Sequence, residues 1–338
     1  MTIKDIANEC GVAVGTVSRV LNNHPDVSDK TRKKVQEVVD KYGFILNQNA
    51  KQLKTQDNKT ILILIKGSSS MMLNALLEDI QKRLEPLPYI TRVIVLDEYD
   101  NEAQKALVAF YEQKPIGIIF LGGNPELYTE DFSKVKCPCV LISNRAENLE
   151  NENLSSVSTD DQKAAEYIGE YIVSKGHKKI GILGGDVKVS DMSDRRYRGF
   201  LNALKKQNIN FDYNNSYITA KYSFESGAEA AKEMLEKNPD VTAIFCMSDV
   251  MAIGACRQLK TMGYEIPEQI SIAGFDGLPI AEFYCPRITT IRQIIPSLAE
   301  TGLSTLLDSI EGKNPSCHKM IPFQFVEGES VKNLLNNQ

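Results

Sequence analysis

The sequence predicts an α/β protein: two doubly wound parallel-sheet lobes preceded by a small all-α domain. Three observations carry this. Residues 1–55 hold three short helical periods separated by turn signals, with no strand-like run. From residue 60 onward, continuous aliphatic runs of strand length alternate with amphipathic stretches, the pattern of parallel strands covered on both faces. These runs fall into two groups, before and after about residue 160. A chain of 338 residues has room for two or three domains. The expected division is a head at 1–46, a short connecting segment at 47–58 and a body at 59–338.

In the head, Thr2 can cap a first helix, with Asp5 as the second half of an imperfect capping box. Ile3, Ile6, Ala7 and Cys10 follow the period of a helix with one buried face, and Gly11 supplies a turn. A second helix, Val14 to Leu21, buries Val17, Val20 and Leu21 before Asn22-Asn23-His24-Pro25 breaks it. Ser28 caps a third, Asp29 to Lys41, with Val35, Val38 and Val39 inward and Tyr42-Gly43 ending it. Three helices with a tight turn between the first two make a helix-turn-helix unit.

The outer face of the second helix carries Val14, Gly15, Ser18, Arg19 and Asn22. A bundle that merely docks on the body would not need so small and polar a face. A helix entering a major groove would, and Arg19 can donate two hydrogen bonds to a guanine edge. Charge points the same way. Residues 1–55 hold nine lysines and arginines against six acids, a net of +3, which leaves −8 for the remainder of a chain of net −5. A basic head on an acidic body suits a polyanionic partner. The segment Asn47 to Thr55 has an Asn cap with Ala50 and Leu53 on one face, and it is too short to be a stable helix alone.

In the body, strands are expected at 60–65, 92–96, 117–121, 138–143, 179–184, 243–247 and 270–275. Helices are expected at 165–176, 196–207, 225–238 and 250–263. Ligands of open α/β sheets sit at the carboxyl ends of strands, so a cleft between lobes is the expected pocket. Lys66, Ser68, Asn144, Arg145, Asp249 and Asp276 fall at strand ends, and Arg196 opens a helix after GILGGD. Convergence of several such groups would make a binding site. With no Trp in the chain, Tyr222 and Phe275 are the candidate stacking faces. Lys66 and Arg145 leave an acidic or phosphorylated ligand open.

Other function classes lack their signatures. Neither GILGGD nor FLGGN sits in a phosphate-loop motif, and no GxSxG or HExxH occurs. The three histidines, His24, His177 and His318, are scattered. No enzyme activity, metal or cofactor is therefore expected. Seven cysteines, several in apolar stretches and none in a CxxC pair, fit a reducing compartment. MTIKDIANE has no basic n-region or apolar h-region, and no apolar run approaches the roughly 20 residues of a membrane span. A cytoplasmic protein with no membrane partner is expected.

GVAVGTVSRVLNNHPDVSDKTRKKVQEVVDKYGF, followed by NQNAKQLKT, resembles the head of the LacI/GalR family of bacterial transcription regulators, and the similarity continues through nearly the whole chain. The resemblance implies an effector-responsive repressor of carbohydrate uptake or catabolism genes that binds a palindromic operator as a homodimer. It assigns base reading to Val14, Gly15 and Arg19, and phosphate contacts to Thr2, Asn22, Ser28 and Thr31. It makes Asn47, Ala50 and Leu53 a hinge helix whose leucine wedges into the minor groove. Two departures stand out: Ala13 replaces the serine that usually opens the recognition helix, and Leu46 replaces a common proline.

For the body the resemblance implies a periplasmic-binding-protein architecture with three crossovers, near 158–162, 288–294 and 322–328. The first lobe would then comprise about 59–159 and 293–323, and the second about 162–289 and 326–335. Arg196, in R-x-x-G before Gly199, and Asp276, in G-F-D, match effector-binding positions, and Tyr222 matches a position where some members stack a sugar. Ser248-Asp249 stands for a common Asn-Asp, and Gly277 replaces the second Asp of GFDD. The effector is expected to be a sugar or sugar derivative. No leucine-heptad tail follows Val331, so the tetramerising extension found in some members is expected to be absent. The alternative is a solute-binding protein for a small sugar-like ligand, against which the head argues.

Overall fold

A computed structural model describes residues 3–21, 24, 26–42, 59–67, 70–97, 99–128, 130–147, 149 and 151–335. The chain divides into two compact units, 1–58 and 59–338.

The first unit holds α1 (Ile3–Cys10), α2 (Val14–Leu21) and α3 (Asp29–Tyr42). Its core is one residue per helical turn from each: Ile6, Ala7 and Cys10 against Val17, Val20, Val35 and Val39. The tight turn is a helix stop at Gly11, φ +60°, where the Val12 amide reaches back to the Ala7 carbonyl at 3.0 Å. Ala13 opens α2 through its carbonyl alone, which accepts from Thr16 and Val17 at 2.8 and 3.2 Å. Ser28 caps α3, its Oγ accepting the Thr31 amide at 3.4 Å. At the other end Glu9 accepts from Lys41 Nζ at 2.9 Å and Tyr42 Oη at 2.8 Å, tying the last turn of α3 to α1.

The second unit begins with β1 (Thr60–Lys66), α4 (Met71–Leu84), β2 (Ile90–Leu96), α5 (Glu102–Gln113), β3 (Gly117–Leu121), β4 (Cys139–Ile142) and β5 (Leu154–Thr159). It continues with α6 (Asp161–Ser174), β6 (Ile180–Gly184), α7 (Asp191–Lys206), α8 (Tyr213–Ser216), β7 (Tyr217–Thr219), α9 (Phe224–Lys237), β8 (Ala243–Cys246), α10 (Asp249–Thr261), β9 (Ser271–Ala273) and α11 (Pro279–Phe283). It closes with β10 (Thr290–Gln293), α12 (Ile295–Ile310), β11 (His318–Ile321) and β12 (Phe323–Val326).

Two parallel sheets result, as the alternation of runs predicts. The first has order β11-β5-β4-β3-β1-β2 and the second β7-β6-β8-β9. β10 and β12 form an antiparallel pair, and single parallel bridges, Ala273 to Thr289 and Asp276 to Arg292, join the β10 segment to the end of the second sheet. The chain passes between lobes three times, at 159–161, 293–295 and 321–323. β1, β3 and β4 are buried along their whole length except at Lys66. α12 returns to the first lobe, where Leu298, Leu303 and Leu306 pack with Leu76, Ile80 and Ile142. Val250 and Leu278 of the second lobe join that same cluster.

β5, sequence LSSVST, is absent from the aliphatic runs, yet every residue in it is buried. Its serines serve as hydrogen-bonding anchors rather than surface. Ser155 Oγ accepts the Cys317 amide at 3.1 Å, and Ser156 Oγ accepts the Ala146 amide at 3.1 Å while lying 2.9 Å from His318 Nδ1. A buried hydroxyl with its partners in place costs little.

Candidate functional site

On α2, Val17 and Val20 face the core while Val14, Gly15 and Arg19 are exposed. Ser28 Oγ and Thr31 Oγ1 lie 2.9 Å apart at the start of α3, two hydroxyls beside the orphan amides of a helix N-terminus. Thr2, Asn22, Asn47, Ala50, Leu53 and Ser68 lie outside the described residues.

In the second unit a cavity of about 340 Å³ opens between the lobes. Lys66, Asn124 and Asn144 line it from the first lobe, and Arg196, Tyr222 and Asp276 from the second. Gln293 joins them from the end of β10, at a crossing.

Arg196 is 1% exposed and works mostly inward. Its Nε donates to Asp161 Oδ1 at 2.8 Å, Nη1 donates to the Met247 carbonyl, and Nη2 lies 3.6 Å from Asp276 Oδ1. The guanidinium stacks 3.7 Å over the Phe275 ring. Phe275 therefore supports the arginine from beneath, and it is not among the residues lining the cavity.

Asp276 has φ +106°, a conformation that a side chain rarely adopts. Its amide donates to the Ile291 carbonyl at 2.8 Å and its own carbonyl accepts from the Gln293 amide at 2.9 Å, which holds the strained backbone in place. Burial pushes its carboxyl up to about 6, against the opposing pull of Arg196 and of the Gln293 hydrogen bond. The next residue, Gly277, has φ +68°, and a Cβ there would collide with the main chain of Arg292. An aspartate at this position, as in GFDD, does not fit this packing.

Gln293 is the group sequence reading misses. Its Nε2 donates to Asp276 Oδ1 at 2.9 Å, and its buried Oε1 has no partner. A glutamine at a strand end reads as surface, and only the crossing turns it inward. Tyr222 Oη lies 2.9 Å from Ser193 Oγ, and burial pushes its phenol above the ordinary range.

Two strand-end residues stand elsewhere. Asp249 is wholly buried and spends both carboxylate oxygens on the fold: Oδ2 accepts the Leu278 amide at 2.7 Å and Oδ1 accepts Thr290 Oγ1 at 2.6 Å. It fastens the end of β8 to the β10 crossing, and it does not line the cavity. Arg145 is also outside the lining and pairs with Glu147.

Lys66 lines the cavity with its charge already met. Its Nζ lies 2.7 Å from Oε2 of Glu102, which is 1% exposed. Glu102 Oε1 accepts the Asn124 amide at 2.5 Å. Asn124 Nδ2 in turn donates to the Val189 carbonyl of the second lobe at 2.9 Å. Lys221 of the second lobe sits 5.6 Å from the Tyr99 ring of the first. The lobes are thus bridged across the cavity.

Among the described residues no group of His, Cys, Asp and Glu could hold a metal ion, and no helix is long and apolar enough to cross a membrane.

A family model described as "Bacterial regulatory proteins, lacI family" matches residues 2–47, and one described as "Periplasmic binding protein-like domain" matches residues 170–331. The HTH-type transcriptional regulator MalR of Clostridium butyricum is 34% identical over 338 residues, 99% of this chain and 100% of its own. The HTH-type transcriptional repressor CytR of Escherichia coli is 29% identical over 317 residues, 93% of this chain and 91% of its own. Among solved structures, the lac repressor dimer bound to operator and the anti-inducer ONPF matches with a TM-score of 0.79 at 24% identity, over 98% of this chain and 99% of that one. The CelR–cellobiose complex matches with a TM-score of 0.70 at 22% identity, over 98% and 99%. At such identities the structural likenesses speak to the fold.

Proposed function

Because this chain belongs to the lacI family of bacterial transcriptional regulators, we propose that it represses carbohydrate uptake or catabolism genes in the cytoplasm until a neutral sugar fills its inter-lobe cavity. Residues 1–46 are the DNA-binding domain, 47–58 the hinge and linker, and 59–338 the effector and dimerisation unit. One recognition helix reads few base pairs, so two chains related by a two-fold would bind the two halves of a palindromic operator. Val14 and Arg19 would meet base edges, with Gly15 facing the groove between them and Thr2, Asn22, Ser28 and Thr31 on phosphates. Asn47, Ala50 and Leu53 would form the minor-groove hinge.

The observation that carries the effector assignment is the set Arg196, Asp276 and Gln293. It puts a planar donor and a carboxylate acceptor on one wall of a cavity of about 340 Å³, backed by Gln293, whose buried Oε1 has no partner. Vicinal hydroxyls of a sugar both donate and accept, and a pocket of that size suits them. Tyr222 offers the ring face against which the apolar side of a pyranose would lie. Charge favours neutrality: Lys66 is paired with Glu102, and Arg196 with Asp161 and Asp276. A phosphate would find Lys66 and Arg196 already paired. The ligand would shift the lobes only by its differential affinity for their two arrangements.

The solute-binding alternative has no use for a helix-turn-helix head. A mobility shift of the full-length protein on its own upstream DNA, with and without neutral sugars that raise its thermal transition, tests the proposal. Specific binding released by a stabilising neutral sugar is expected. Release only by sugar phosphates would overturn the effector class, and equal binding to scrambled DNA would overturn the whole assignment.

A further inference from the structure

Gly15 is a residue the fold does not ask for. It is the second residue of α2, it has no left-handed φ, and a Cβ built on it meets nothing within 4 Å. Glycine costs a helix up to about 1 kcal/mol relative to alanine. Neither conformation nor crowding inside the protein explains it. Beside it, Val14 leaves its branched apolar side chain 40% exposed, although α2 has Val17 and Val20 for its core contacts. The two anomalies are adjacent, at the N-terminal end of α2 that would enter a major groove, and Gly15 lies one turn before Arg19 on the same face.

We propose that Val14 reads the 5-methyl group of one thymine in each operator half-site, and that Gly15 reads nothing but lets the helix approach closely enough for that contact. The inference rests on the operator-binding reading above. The chemistry is direct. In the major groove thymine alone of the four bases presents a methyl group, and an apolar side chain recognises it by contact. A valine can neither donate to guanine or adenine nor accept from cytosine. Glycine has no side chain with which to read a base, so the base pair facing it should be tolerant. The half-site then contains a fixed T·A pair next to a position of weak preference, with the guanine for Arg19 further along.

The test changes the DNA and leaves the protein intact. Palindromic duplexes are selected by the full-length protein from a random pool. Each thymine of the selected half-site is then replaced, symmetrically, by deoxyuridine, which removes only the methyl. At one position the loss should be about fourfold per half-site, or about 15-fold for the symmetric duplex, the worth of one buried methyl group. Val14→Ala should bind thymine and uracil duplexes alike, closing a double-mutant cycle. Gly15→Ala should leave the thermal transition of the head unchanged or raised, yet lower operator affinity at least about tenfold. If uracil at every thymine is harmless, the methyl contact is wrong. If Gly15→Ala binds as wild type does, the close approach is wrong. Failure of the operator reading itself looks different, because no selected duplex would then be preferred over a scrambled one.

Discussion

Replacing Arg196 by alanine should unfold the effector unit more readily rather than simply empty its cavity. The guanidinium is 1% exposed and bonded to Asp161, itself 3% exposed at its side chain, with Asp276 at 3.6 Å. Removing it strands two buried carboxylates, and it also takes away the donor to Met247 and the stack on Phe275. Breaking a buried pair from one side costs about 3–5 kcal/mol. For a unit of this size that lowers the thermal midpoint on the order of 10 °C. Differential scanning calorimetry of wild type and Arg196→Ala, without ligand, measures it. The carboxyls of Asp161 and Asp276 are both already raised by burial, so part of the loss should be recovered at low pH, where they protonate. A midpoint within 2 °C of wild type would refute the reasoning, showing that Arg196 is kept for the ligand and not for the fold.

Four further outcomes are expected. Gly277→Ala should destabilise the unit by about 2–4 kcal/mol in urea denaturation, since a Cβ at φ +68° meets the Arg292 main chain. On the proposed assignment, in which a sugar hydroxyl would donate to the ionised Asp276 carboxylate, effector affinity should be flat above pH 7 and fall towards tenfold per unit below about 6. Without ligand the sign is opposite: the raised carboxyl contributes stability that is full below 3.8 and lost as pH rises through about 6. Calorimetric titration at pH 5 and 8 and pH-dependent unfolding check both. Leu53→Ala should reduce operator bending and specific affinity in a circular-permutation assay while the thermal transition of the effector unit stays unchanged.

Much of the fold is legible because burial leaves a pattern. TILILI and GIIFL have the length and composition of covered strands, and Ile6, Val17 and Val35 each belong to a helical period with one buried face. β5 is not legible, since its serines find amide and imidazole partners up to 162 residues away. The cavity is legible only in part. A strand-end polar residue looks the same in sequence whether it lines the cavity, as Asp276 does, or is used up by the fold, as Asp249 is. Lys66 reads as a free cation until Glu102, 36 residues on, is brought to it. Gln293 acquires its orientation from a chain crossing, which no local pattern encodes.

The edge strand β11 has a consequence for how the molecule is made. It pairs with β5 across 162 residues, and α12, which covers the same sheet, also follows all of the second lobe but its last strand and C-terminal segment. During synthesis the head and the first five strands emerge early, but the first lobe stays one strand and one helix short until about residue 321 is released. Until then β5 exposes an unpaired edge, which invites strand pairing with other nascent chains. Loop closure over such a span is slow to reward its entropy. A chain cut short before α12 would thus carry a finished DNA-binding head on an unfinished lobe. Such a fragment should be an aggregation substrate in the cell rather than a constitutive repressor.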